Sequence, residues 1–186
     1  MVGYIVLGVV VVVAVIIVIW YIAAYNSFIT MKNKIEEAFA TIDVYLKKRF
    51  DLIPNLVETV KGYAAHERQT LDEVIAARNS VASSSTTEER LEKENVLSGT
   101  LRSLFAVAEA YPNLKANENF MDLQGQLQQI ETDIANSRKY YNANVRMFNT
   151  KLQTFPTNLI ANQFKFTKQP MFEADEADRQ NVQVKF

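Results

Sequence analysis

Cysteine is absent from this 186-residue chain, and histidine occurs once. The first absence excludes disulfides, thiolate metal sites, a cysteine nucleophile and a lipid-bearing cysteine, while leaving the redox compartment open. The second leaves His66-Glu67-Arg68-Gln69-Thr70 as a failed zincin pattern, because Thr70 stands where a second histidine ligand is needed one turn on. A di-iron bundle draws a Glu-x-x-His from each of two helices, so one histidine excludes that too. His66 reads as a surface residue. With five glycines and four prolines, no phosphate-cradling loop and no GxSxG elbow can be found. Neither sign of charge is in excess: 20 basic side chains face 21 acidic ones, net −1, which gives no field to attract nucleic acid. The expectation is a non-enzyme with no catalytic, cofactor-binding or metal site.

Charge is also missing from the start of the chain. MVGYIVLGVVVVVAVIIVIWYIAA carries none, and the first charged side chain is Lys32. As a helix, residues 1–24 reach roughly 36 Å, enough to cross a hydrocarbon core of ~30 Å with some tilt. A cleaved signal peptide would carry a basic leading region and a shorter apolar stretch. Gly3 and Gly8 are spaced five apart and form no GxxxG face. Trp20, Tyr21 and Tyr25 cluster where an interfacial aromatic belt belongs. Lys32 and Lys34 lie on one flank and nothing charged on the other. The positive-inside rule therefore predicts a single-pass protein of the cell membrane, N-terminus outside and bulk in the cytoplasm.

The remainder is helix-forming. Ile35, Phe39, Ile42, Leu46, Ile53, Leu56, Val60, Leu71 and Val74 recur mostly at steps of three, four or seven, predicting one long helix to about Val81. Pro54 sits inside it and is expected to kink it without ending it, the alternative being a full break that gives four similar helices. Thr86-x-x-Glu89 is a capping-box pattern opening a second helix, with Leu91, Leu97, Leu101, Leu104 and Phe105 apolar and Pro112 closing it. Asn117 or Asn119 caps a third, in which Phe120, Leu127, Ile134, Tyr141 and Phe148 keep coiled-coil-like seven-residue spacing up to Pro156. A short apolar element follows at 159–166. The expected fold is all-α. A transmembrane helix at 1–24 precedes a domain at 25–168, an elongated antiparallel bundle of three long helices plus a short C-terminal fourth. A polar tail at 169–186 is read as disordered.

Those lengths leave the stripe of Ile35, Phe39, Ile42 and Leu46 without a covering helix. Burial of each such side chain is worth about 1.5–3 kcal/mol, so a partner is expected. The preferred expectation is self-association into a homo-oligomer. The rival is a C-terminal segment folding back with Leu159, Ile160, Phe164 and Phe166. Tyr111, Pro112 and Leu114, in the Tyr-Pro-Asn-Leu-Lys-Ala loop, form a second candidate interaction surface, against the plainer reading of a rigid connector. Asp43, Arg49, Asp51, Glu58, Arg78 and Arg138 fall near the seam. They read either as interhelical pairs that fix register or as a polar groove.

IDVYLKKRFDLIPNLVETVKGYAAHE at 42–67 and YPNLKANENFMDLQGQLQQIETDIANSRKYYNANVRMFN at 111–149 carry a resemblance. With the short N-terminus and single span, the chain resembles the LemA family of bacterial membrane proteins. Its most specific pieces are the runs at 49–57, 111–116 and 137–142. The resemblance implies one N-terminal transmembrane helix, an outside N-terminus and an all-helical domain, with no established activity. Its members sometimes neighbour a membrane zinc metalloprotease in genomes. The leading functional expectation is a membrane-anchored interaction or scaffold module whose partners are the lipid bilayer and other proteins. The alternative is a regulatory partner or adaptor of a membrane metalloprotease.

Overall fold

The computed structural model describes residues 1–85 and 87–172, without the side chains of Thr87, Glu88 and Leu91. Thr86, and with it the first residue of the expected capping box, lies outside the described residues, as do 173–186 of the tail. Every regular element is helical: α1 Val2–Tyr63, α2 Arg68–Ala82, α3 Thr87–Ala108, α4 Pro112–Lys115, α5 Glu118–Gln153 and α6 Thr157–Gln163. The all-α expectation holds. The chain divides into two compact units: residues 1–41 with 137–171, and residues 42–136.

Pro54 lies inside α1, as expected. The break falls ten residues later, at 64–67, so the helix expected to run to Val81 is two. In the second unit, the rest of α1 packs with α2, α3 and the first part of α5. Arg78 of α2 meets Phe50 of α1, so α2 doubles back. Arg90 and Glu94 of α3 meet Asp43 and Arg49, rising together along α1. Asn117, just before α5, and Glu131 within it meet Tyr63 and Arg49 in descending order. Four helical stretches therefore alternate in direction, not three. Their shared core includes Ile53, Leu56, Val60, Val74, Leu104 and Leu127. The Asn117 carboxamide oxygen caps α5 by accepting the Phe120 N–H at 2.9 Å, one of the two caps expected.

In the first unit, residues 2–23 of α1 are exposed, and burial starts at Ala24. Beyond it the end of α5, α6 and residues 164–171 pack on α1. Phe28 is wholly buried, edge-on to Phe148 at 5.9 Å and stacked on Phe166 at 5.0 Å. After α6 the chain turns through Lys165 at φ 55°. The Lys165 and Phe166 amides donate to Asn162 and Ala161 carbonyls at 3.3 and 2.9 Å, a Schellman turn that delivers Phe166 to Phe28. Asn149 then exchanges two 2.9 Å hydrogen bonds with the Gln169 backbone, and Tyr141 Oη donates to Pro170 O at 3.1 Å.

This corrects the expectation of an uncovered stripe. Ile35, Ile42 and Leu46 are buried within the chain, and Phe39 is half-buried against Tyr141, with ring centroids 6.1 Å apart. The reason is the break at 64–67: once α2 folds back, α5 has length to spare to run on beside residues 27–39 of α1. The fold-back rival holds for Ile160 and Phe166. Leu159 and Phe164 stay exposed.

Candidate functional site: an ion-pair chain beside a cleft

Three of the four helix stripes of the second unit are interrupted by a charged residue. Arg49 sits between Leu46 and Ile53, Glu94 seven residues before Leu101, and Glu131 between Leu127 and Ile134. The packing brings the three together. Arg49 is fully buried and donates to Ser98 Oγ at 2.6 Å, to Glu131 Oε1 at 2.5 Å and to the Glu94 carboxylate, with the Glu94 carbonyl at 3.3 Å. Glu94 is itself buried, and its other oxygen lies 4.0 Å from Arg90 Nε. Arg90 in turn holds Asp43 at 2.7 Å. The result is an alternating chain, Asp43–Arg90–Glu94–Arg49–Glu131, that ties α1 to α3 and α5. Only Arg49 and Glu94 are taken out of water, which is costly; their mutual pairing and the Ser98 and Glu131 contacts offset part of that cost, while Arg49 Nε is buried without a hydrogen-bond partner.

The other seam candidates divide. Arg78 is interhelical but not ion-paired: its guanidinium stacks over the Phe50 ring at 3.8 Å, and its Nε donates to Phe50 O at 3.2 Å. That carbonyl is the one Pro54, four residues on, leaves without its helical donor. Asp51 pairs locally with exposed Lys47, and Glu58 with exposed Lys61. Arg138 is half-buried in the first unit.

A cleft of about 380 Å³ opens between α3 and α5, lined by Ser98, Leu101, Arg102, Phe105, Gln124, Leu127, Gln128 and Glu131. Its floor is the Ser98–Glu131 end of the ion-pair chain. Its walls set Leu101, Leu127 and the Phe105 ring beside two carboxamides and a guanidinium. The opposite end of the chain, at Arg90 and Glu94, lines a second cleft of about 260 Å³ with Leu46, Lys47, Phe50 and Ser84. Sequence reading picked out Arg49 and Asp43 but missed Glu94, Ser98, Arg90, Glu131 and the cleft. A carboxylate standing in an apolar register position was the available signal.

The residues expected to form interaction surfaces lie elsewhere. Ile35, Ile42 and Leu46 are core residues. Leu114 is wholly buried and closes one end of the second unit. The Tyr111 hydroxyl donates to Glu67 Oε1 at 2.8 Å, and that hydrogen bond, which holds the protonated form, raises the phenol's pKa. Pro112 alone of the loop trio is exposed, as the first residue of α4. The loop is a connector that plugs the bundle. Among the described residues no three His, Cys, Asp or Glu side chains gather as a metal ion would need.

A family model described as the LemA family matches residues 38–186. Protein LemA of Metamycoplasma hominis is 25% identical over 166 residues, 87% of this chain and 74% of that protein. Magnetosome protein MamQ 2 of Paramagnetospirillum magneticum is 23% identical over 163 residues, 74% of this chain and 60% of that protein. Magnetosome protein MamQ of Magnetospirillum gryphiswaldense is 21% identical over the same shares. The chain thus spans about three-fifths of the length of these magnetosome relatives.

Proposed function

The chain belongs to the LemA family, and on that premise we propose that it is a membrane-anchored interaction module whose helical second unit receives a protein partner. The observation that carries this reading is α1 itself. One helix begins with an uncharged stretch exposed from Val2 to Ala23, long and apolar enough to span a membrane, and continues unbroken into the packed units. An apolar surface of that size is stable only in lipid or against another protein. Lys32 and Lys34 on the bundle side support a cytoplasmic orientation in the cell membrane. The cleft between α3 and α5 is the partner surface this reading assigns, since its amide and charged walls are reachable from solvent.

Two measurements test it. Protease added to intact spheroplasts should spare the bundle, and digestion from outside would reverse the orientation. Photo-crosslinking residues placed at Arg102 and Gln128 should capture a small, reproducible set of proteins in living cells. Capture no stronger than from exposed Glu92 on the same α3 would remove the cleft from the reading. The protease-adaptor alternative gains no support from the fold or from the relatives' names, and the crosslinked set tests it directly.

A further inference from the structure

Outside the anchor, the most exposed large apolar side chain among the described residues is Phe155, at 75%. Leu159 is 56% exposed and Phe164 is 44% exposed. All three belong to the turn after α5, to α6 and to its cap, while Ile160 and Ala161 between them are core. Three such side chains within ten residues are costly in water.

Their place in the first unit identifies what covers them. The Phe164 ring lies 4.5 Å from that of Tyr25 and 6.1 Å from that of Tyr21, at the end of the uncharged stretch. Lys151 Nζ donates to Ser27 Oγ, three residues past the point where α1 becomes buried. Contacts of Tyr141 with Phe39 and of Phe148 with Phe28 show α5 descending toward the anchor as its numbering rises. From Lys151 to Phe155 the chain advances roughly 6 Å further, to about the level of Ala23.

We propose that the turn from α5 into α6 is a second, shallow membrane contact, with Phe155, Leu159 and Phe164 seated in the interfacial layer of the bilayer that α1 crosses. Aromatic side chains favour this depth, and interfacial elements bury their apolar side about 5–10 Å into the boundary between headgroups and acyl chains. Lys165 and Lys168, both exposed, follow Phe164 and suit anionic headgroups. Lys165 keeps a side chain at a left-handed position that glycine adopts at lower cost. Lipid is the occupant because the same helix that touches Phe164 already carries the anchor. The proposal rests on the anchoring reading.

Trp20 is the chain's one tryptophan, so fluorescence separates the two ideas. The full-length protein is reconstituted into phosphatidylcholine–phosphatidylglycerol vesicles containing a lipid with a nitroxide near its headgroup. In the wild type, Trp20 reports the anchor. In a Trp20→Phe background, Phe155→Trp and Leu159→Trp report the turn, and Val96→Trp, at a site 55% exposed, is the water-side control. Blue-shifted emission at 155 and 159, with quenching several-fold above that at 96 and poor access to acrylamide, is expected. Quenching equal to that at 96, with Trp20 still quenched, overturns the shallow contact and leaves the anchor standing. An unquenched Trp20 overturns both. Emission at 155 that is blue-shifted without lipid quenching and reverts as protein is diluted in lipid assigns the patch to a second copy, against the proposal.

Discussion

Arg49 shows what a single buried charge contributes. With Arg49→Met, Glu94 stays buried and loses its main partner, which should destabilise the second unit by about 3–5 kcal/mol. Arg49→Met with Glu94→Leu should cost far less than the two single changes summed, because neither fully buried charge remains and Glu131, which also loses Arg49, is partly open to water. Urea unfolding of the detergent-solubilised protein measures both, and strict additivity would show that the pair is not coupled. Arg78 has a different task. It supplies the donor that Pro54 withdraws from Phe50 O, so Arg78→Ala should cost about 1 kcal/mol more in the wild type than in a Pro54→Ala background. Equal costs in the two backgrounds would refute the compensation. At this scale the sequence was half legible. Arg49 was legible, with Arg78 and Arg138, as a basic residue near the apolar seam. Glu94 and Glu131 were not, because a carboxylate on a polar-rich helix reads as solvated until its partner helix is known.

At the level of elements, the start of α3 is tied by Glu89, which accepts the Ser85 N–H and hydroxyl at 2.9 Å and Lys93 Nζ at 2.5 Å. Lys93 first, then Ser85, lowers its pKa to about 2. A depressed carboxylate stabilises the fold above its unfolded pKa and stops doing so as pH falls through the folded one. The protection factors of the amides in the first turn of α3, corrected for the intrinsic pH dependence of exchange, should therefore fall between about pH 4.5 and about pH 2. Glu89→Gln should abolish that step, and a variant that keeps it would assign the step to another group. The cap of α6 offers the reverse case. Lys165→Gly removes the side chain from a left-handed position and should raise the stability of the first unit by roughly 1 kcal/mol in thermal unfolding, and a loss would contradict the strain. Helix identity was legible here, because the apolar period persists through every segment. The reversal at 64–67 was not. Val60 and Leu71 are eleven residues apart, almost three turns, so the stripe stays in phase across a turn that ends it. The start of α2 lacks a side-chain cap that would have marked the restart. Pro54, the stronger signal, is absorbed.

For the molecule as a whole, that one hidden reversal decided the main misreading. A first helix carried to Val81 left too little chain to cover Ile35 and Ile42, and an oligomer was invoked to do it. With α2 folded back that shortfall of chain disappears, and both side chains are buried without a second copy. The exposed apolar start of α1 was legible outright, since an uncharged run of that length needs no partner helix to be recognised. Val12→Lys, near the middle of the run, should cost about 2.5–3.5 kcal/mol of insertion on biological scales and release a measurable fraction of the protein into the carbonate-soluble pool. Full retention in the pellet would count against a single spanning helix.

Because no residue between Ala24 and Phe28 leaves the helix, the anchor has a fixed azimuth as well as a fixed depth. Each residue turns a helix by about 100°, so whichever flank of the Val-rich stretch meets a given neighbour in the bilayer is set by how Phe28 docks on Phe148 and Phe166. One extra alanine after Ala24 would swing that flank by about 100° and lift it only about 1.5 Å, while four would nearly restore the heading at the expense of height. A set of such insertions would separate what the membrane segment does by pointing from what it does by holding on.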